Sequence, residues 1–403
     1  MIMKRLGISF VLAAALTCVS CIYDFDPQVE DASQFVVVEG DILIGDYSYF
    51  RVSESRNLKD LNVFISRFTG TASVECDDGT SASARGSLGE FLIDTRNMKP
   101  GKKYRFSVTI PEMDGKIYYS DWVEVHQAGV IDSVTYTIDP QTKSEMWINV
   151  TSHNDNDEKY YRWMSSENWE YCADYYATFY YVPDQASKRD YGPGKVLEYE
   201  NGENTNWCWK VGTVSDVMLG DLSELSQTKF VNHKLYSIDK HDRRVSYLYS
   251  PQISQVAISE EAYRYWSSMS KNSDDVGGLF SPQPSECRGN IHCAQDSTEL
   301  VLGYVGASTV SRCRIFIAQA DTRFYEKKKE SGTQPEPTLV QKSEWRAYYL
   351  EGWLPFQPHF DEEGGMVDPV AMEQFDWLPA RCLDCTLLGG TKDKPSWWPN
   401  EHR

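Results

Sequence analysis

Ten cysteines and seven histidines are the side chains here best suited to ligate a metal, form a crosslink or move a proton. Cys382-Leu383-Asp384-Cys385 has the spacing of half a zinc site, which Cys287 and Cys293 would have to complete. Those two stand too far apart for a zinc knuckle, and His292 beside Cys293 is poorly placed to share its metal. A redox Cys-x-x-Cys needs a strand-to-helix context, and the flanking sequence supplies none. Disulfides are the expectation instead, with Cys172–Cys208 closing an aromatic insertion and Cys382–Cys385 forming a local link, although spacing alone does not decide pairing. Neither a metal nor another cofactor is expected.

The histidines (His126, His153, His233, His241, His292, His359 and His402) are scattered without ligand spacing. No His-Glu-x-x-His and no Gly-x-Ser-x-Gly occurs. Carboxylates are plentiful, so a glycosidase-like pair stays open as the alternative. The expectation is a protein that is not an enzyme and has no catalytic residues.

A different chemistry is written at the N-terminus. Lys4 and Arg5 precede an apolar run from Leu6 to Leu16, which is too short to span a bilayer and reads as a signal peptide over residues 1–20. Ser20 before Cys21 resembles the bacterial lipobox, where cleavage frees a cysteine that then carries acyl chains; Cys18 is the weaker alternative. Acyl chains contribute membrane affinity of about 0.8 kcal/mol per buried methylene. Residues 21–34, with Asp24, Asp26, Glu30 and Asp31, form an acidic tether of the kind that accompanies export to the outer face of an outer membrane.

The formal charge is −19, and cleavage would remove Lys4 and Arg5 and lower it further. Such a surface repels nucleic acid and anionic lipid. With 41% hydrophobic and 13% aromatic residues the chain is no disordered polymer.

The elements that must carry these residues read as mainly β. Over residues 35–126, short strands punctuated by turns predict an immunoglobulin or fibronectin type III-like sandwich of about seven strands. Phe35–Gly40, Asn62–Ser66 and Ala72–Cys76 are strands, and Tyr104, Phe106, Val108 and Ile110 alternate with polar residues. Met98 to Tyr104 resembles a tyrosine corner, in which the Tyr hydroxyl bonds back to the backbone.

Residues 127–403 read as a larger β-rich domain with insertions and one short helix. Val134–Ile138, Met146–Val150 and Tyr160–Met164 are strands, with Trp163 placed to plug a second core. Asn154-Asp155-Asn156-Asp157 lacks the glycine and glutamate of an EF-hand and predicts an Asx turn. Ser259 caps a helix that runs through Tyr263 and Trp266 to about Met269. Leu300–Val305 and Cys313–Ile317 return to strand, and 326–338 is a charged loop.

Between 165 and 210 lies a dense aromatic insertion. Trp169, Tyr175, Tyr176, Tyr180 and Tyr181 are the candidate ligand or partner surface, against the plainer reading that most of them pack a core. Trp397-Trp398-Pro399 suggests a tail docked on the second domain, with Trp397→Ala expected to cost a few kcal/mol.

In order along the chain, several segments resemble a family of Bacteroidetes outer-membrane lipoproteins named for domain of unknown function 4249. They are Cys21 with Phe25-Asp26-Pro27, Phe35 to Gly40, Tyr160 to Trp163, Pro284 to Ile291, Leu302 to Ser308, Cys382 to Cys385, Gly389-Gly390-Thr391 and Lys394 to Trp398. The resemblance implies a surface partner of a TonB-dependent transporter and brings no catalytic residues. The functional expectation is therefore a lipid-anchored, surface-exposed accessory protein that binds a barrel and a small ligand such as a glycan or peptide, not nucleic acid. A surface glycosidase or peptidase and a structural or adhesive envelope protein are the alternatives.

Overall fold

Alternation of side chains sets the first core. In the strand Lys103–Ile110, Tyr104, Phe106, Val108 and Ile110 all point inward and are buried. In Tyr47–Glu54 the inward residues are Ser48, Phe50 and Val52, and Phe50 stacks on Phe106 at 4.0 Å between ring centroids. The computed structural model describes residues 35–55, 66, 68–184, 192–200, 206–224, 228–274, 288–325, 335–359 and 374–399. The signal segment, Cys21, the tether to residue 34, Cys287 and residues 62–65 of the expected strand lie outside them.

The fold is mainly β. The first unit is two sheets around one core. One sheet runs Val301–Leu302, Val36–Gly40, Tyr47–Glu54, Glu90–Asp94; the other is built on Gly70–Cys76, Lys103–Ile110, Lys116–Ser120 and Val123–His126. The tyrosine corner forms as expected. Tyr104 donates its hydroxyl to the Lys99 carbonyl at 2.9 Å, and the Lys99 N–H donates back at 3.0 Å.

This unit is not finished by residue 126. Ile291–Cys293 pairs with Tyr118–Ser120, Val301–Leu302 lies parallel to Val36–Val37, and Ala307–Ser308 slots between Ile42–Leu43 and Val125–His126. Ile291, Cys293, Val301, Val305 and Ala307 belong to the same buried cluster as Phe50 and Phe106. The motif residues around 289–306 serve this return. Asn290 donates Nδ2 to the Val305 carbonyl and accepts from the Val305 N–H, both at 2.9 Å, as a substitute ladder. Gly303, at φ +125°, sits so near Val38 that a Cβ would meet its carbonyl oxygen at 2.0 Å.

The second unit packs a three-stranded sheet (Val130–Ile138, Glu145–His153, Lys229–Asp239) on a six-stranded one ordered Trp207–Thr213, Tyr160–Cys172, Leu248–Ile258, Ser311–Arg314, with Met218–Asp221 and Ile317–Ala318 alongside. Their shared core holds Ile148, Val150, Tyr161, Trp163, Tyr236 and Ile253. Trp163 does plug it, with its indole N–H bonded to Gln255 Oε1 at 2.8 Å. Asn154-Asp155-Asn156-Asp157 is the expected Asx turn, since the Asn156 N–H donates to Asn154 Oδ1 at 2.8 Å.

The helix spans Glu260–Asp274, and Ser259 Oγ accepts the Ala262 N–H at 3.1 Å as its cap. It covers one end of the six-stranded sheet and meets the first unit. There Arg162 forms a buried ion pair with Asp41 and lies under the Trp266 ring, 4.3 Å from its centroid. Among the described residues no helix is long and apolar enough to cross a membrane.

Candidate functional site

The long central strand Tyr160–Cys172 leads into the aromatic insertion. Trp169 is half-buried on the core-facing side of that strand. It lies over Gly212, where any Cβ would stand 3.0 Å from the ring. Beyond residue 172 the chain forms the hairpin Phe179–Val182 and Lys195–Glu198. Its inner face carries Phe179, Tyr181 and Val196. These pack with Val340, Trp345, Phe375 and Trp377 of the C-terminal segment in a third core.

The predicted aromatics therefore divide. Tyr181 is 6% exposed, lies against Tyr349 at 4.8 Å and Trp377 at 5.7 Å, and donates its hydroxyl to the Pro193 carbonyl. Tyr175 is half-buried, edge-on to Phe356 at 5.4 Å, with its hydroxyl on the Pro335 carbonyl. Tyr180 points to the outer face of the hairpin and meets Tyr199 at 4.9 Å. Tyr176 is 61% exposed. Trp169, Tyr175 and Tyr181 are thus packing residues, and a surface role is left to Tyr176 and Tyr180.

Sequence reasoning missed the rest of that surface. Antiparallel pairing sets Tyr180 opposite Leu197 and Val182 opposite Lys195, so all four share one face. Val182 and Leu197 are exposed although apolar. Period-two alternation of Val196 and Leu197 was the available signal, but both faces are apolar, so it did not name the outer one.

This module is stitched to the second unit at its base. Asn206, 1% exposed, donates Nδ2 to the carbonyls of Tyr175 at 2.6 Å and Leu383 at 3.2 Å, and its Oδ1 accepts the Ala177 N–H. Trp209 bridges to Thr391 through backbone hydrogen bonds. The disulfide at this base is Cys208–Cys385, with 5.9 Å between Cα atoms, and it corrects both expected pairings. Tyr171, not Cys172, stands opposite Cys208 in the sheet, and successive residues of a strand face opposite ways, so Cys172 points away from Cys208. Cys385 turns into the cluster of Tyr171, Ala173 and Cys208, while Cys382 is buried outside it. A zinc site using Cys385 is thereby removed. Among the described residues no group of three potential ligands stands together.

The tail anchor is also corrected. Trp398 is 3% exposed and donates its indole N–H to Glu170 Oε1 at 2.8 Å, whereas Trp397 is 45% exposed. The two adjacent rings point differently, which an irregular segment does not announce in its sequence.

Buried carboxylates are held structurally. Glu167 accepts from Arg244 Nη1 at 2.8 Å and from the Tyr249 hydroxyl, and Tyr249 shares a hydrogen bond with Tyr236 at 2.9 Å. Burial, together with the Glu167 charge, pushes the Tyr236 hydroxyl well above its ordinary range. Glu167 and Glu170 sit on opposite faces of their strand and form no pair. A groove of about 440 Å³ between the helix and the first unit is lined by Trp122, Glu124, His126, Glu261 and Tyr304. His126 there is tied to Glu158 at 2.9 Å, and Glu124 to Lys103 at 3.1 Å.

The family model described as Domain of unknown function (DUF4249) matches residues 22–314. The match ends before the C-terminal motifs and therefore before the disulfide-linked Cys385. No curated protein matches the sequence. Among solved structures, the two fibronectin type-III domain segment from chicken tenascin is similar at 10% identity, covering 56% of this chain and 90% of that one with a TM-score of 0.17.

Proposed function

The chain belongs to the DUF4249 family, and we propose that it works as a non-catalytic accessory partner of a TonB-dependent outer-membrane transporter. In this reading it is held at the outer membrane by lipid on Cys21 and faces the cell exterior. The observation that carries it is the outer face of the hairpin. Tyr180, Val182 and Leu197 group beside Lys195 on the outer face of a module whose own core is already filled by Tyr181, Trp345, Phe375 and Trp377. Apolar side chains grouped outward on a strand surface suit a protein partner, because they present contact area.

The lipobox-like Cys18-Val19-Ser20-Cys21 supports the anchor, and the acidic residues after it support export to the surface. The experiment is a mild-detergent pull-down of the tagged protein from outer membranes. Recovery of a stoichiometric TonB-dependent barrel is the expected result. Recovery of the lipoprotein alone would overturn the partnership and favour a structural or adhesive role.

A further inference from the structure

The outer face of the six-stranded sheet is covered at both ends and partly exposed between them, at Ser166 and Val211. At one end Tyr160 and Met164 pack under the long helix with Trp266. At the other Glu170 lies beneath Trp398. Between these stand Ser166, which is exposed, and Asn168. Cross-strand pairing puts Val211, Ser250, Gln252 and Arg314 on the same face. Val211 is 67% exposed although apolar.

Arg314 is fixed there by neutral groups. Its Nη1 donates to Asn168 Oδ1 at 3.1 Å, to Ser250 Oγ at 3.2 Å and to the Ser250 carbonyl at 3.3 Å, and its Nη2 donates to Gln252 Oε1. No carboxylate is bonded to it among the described residues, in a chain with a formal charge of −19. Glu170, an acid on this face, is turned beneath the Trp398 indole. The Trp397 ring covers one side of the guanidinium, its centroid 4.0 Å from the central carbon. Phe316, 42% exposed, stands beside both tryptophans at 6.2 and 5.6 Å.

A guanidinium has five N–H donors. The Nε–H of Arg314 and one Nη2–H have no acceptor among the described residues, and Nε is not sealed from solvent. Asn168, only 7% exposed, likewise has an Nδ2 that meets no acceptor there yet reaches the surface. Nε and Nη2 together make the fork that grips an oxyanion side-on.

We propose that Arg314 and Asn168, backed by Trp397 and Phe316, form a binding site for a carboxylate carried on a ring. The Nε–H and the remaining Nη2–H of this fork supply charge-assisted hydrogen bonds. The neutral contacts beneath it fix the guanidinium before the ligand arrives, so little side-chain entropy is lost on binding. The exposed aromatic faces offer stacking area to a sugar or aromatic ring. The site is separate from the hairpin and does not depend on the transporter partnership.

The test is isothermal titration calorimetry on the full-length protein in detergent, with D-glucuronate and benzoate as acids and D-glucose and benzyl alcohol as their neutral counterparts. At least one acid binds and the neutral counterparts do not; glucuronate alone identifies a sugar acid, benzoate alone an aromatic acid. Arg314→Gln removes the charge and these donors together and weakens that binding by about tenfold or more. Should Arg314→Gln fail to fold, Trp397→Ala and Phe316→Ala, both at exposed positions, carry the test and each weaken binding. The proposal is overturned if neither acid binds, if the neutral compounds bind as well, or if all folded variants keep native affinity.

Discussion

Trp398 donates its indole N–H to Glu170, a carboxylate with no exposed surface, at 2.8 Å and across 228 positions of chain. The contact joins the end of the described chain to the central strand of the second unit. Together with the Cys208–Cys385 disulfide it holds the aromatic module in place.

Trp398→Ala removes a buried aromatic and one donor to Glu170, so it lowers unfolding stability by about 3–5 kcal/mol. Trp397→Ala, at a half-exposed position, costs about 1 kcal/mol or less. Urea unfolding of the two variants side by side reads the difference. Equal losses would contradict this placement of the tail.

Cys208 and Cys385 are 177 residues apart, and a crosslink over so long a loop restricts the unfolded chain strongly. Cys208→Ser lowers stability by about 2–5 kcal/mol and exposes the C-terminal segment to limited proteolysis. Non-reducing peptide mapping of the native protein recovers a Cys208–Cys385 peptide. Recovery of Cys172–Cys208 or Cys382–Cys385 in its place would contradict the structure.

The Asp41–Arg162 pair, buried where the two units meet, is costly to break from one side. Arg162→Met leaves Asp41 without its charged partner and costs about 3–5 kcal/mol, more than the double change with Asp41→Leu. A double-mutant cycle from denaturant unfolding measures the coupling, and additive losses would show that the pair does not couple the units.

His233 is wedged between Trp163 and Phe230, each ring 5.0 Å away, and burial holds its pKa below the ordinary imidazole value. The exposed His153 moves the other way, because Asp132 bonds to it and favours its charged form. As pH falls below about 6.5 the unfolded chain protonates His233 before the native one does, so its contribution to stability is lost on acidification. His153 contributes most below that pH, and its part fades as pH rises through its elevated pKa. NMR titration of the two imidazoles should give His233 the lower midpoint, and the reverse order would contradict the geometry.

Much of this was legible where a residue's role is local. The alternation around Phe106, the corner made by Tyr104 on Lys99, the Ser259 cap and the Asn154 turn all depend on neighbours within a few positions. The return of Ile291 to Ala307 into the first core was not, since strands of two or three residues carry no periodicity. The disulfide depended on sheet register, and a shift of one position between Cys172 and Tyr171 reverses the answer. The Arg314 site depended on which groups fail to meet Arg314, and that is a property of the packed sheet alone.

The most direct measurement is the outer-membrane pull-down repeated with Val182→Glu/Leu197→Glu, which places charge on the hairpin's outer face and leaves its core residues intact. The account predicts that the native protein brings down a stoichiometric TonB-dependent barrel and that the double variant, with unchanged thermal unfolding, does not. A barrel that follows the variant as well as the native protein, or a native protein that comes down alone, would contradict it.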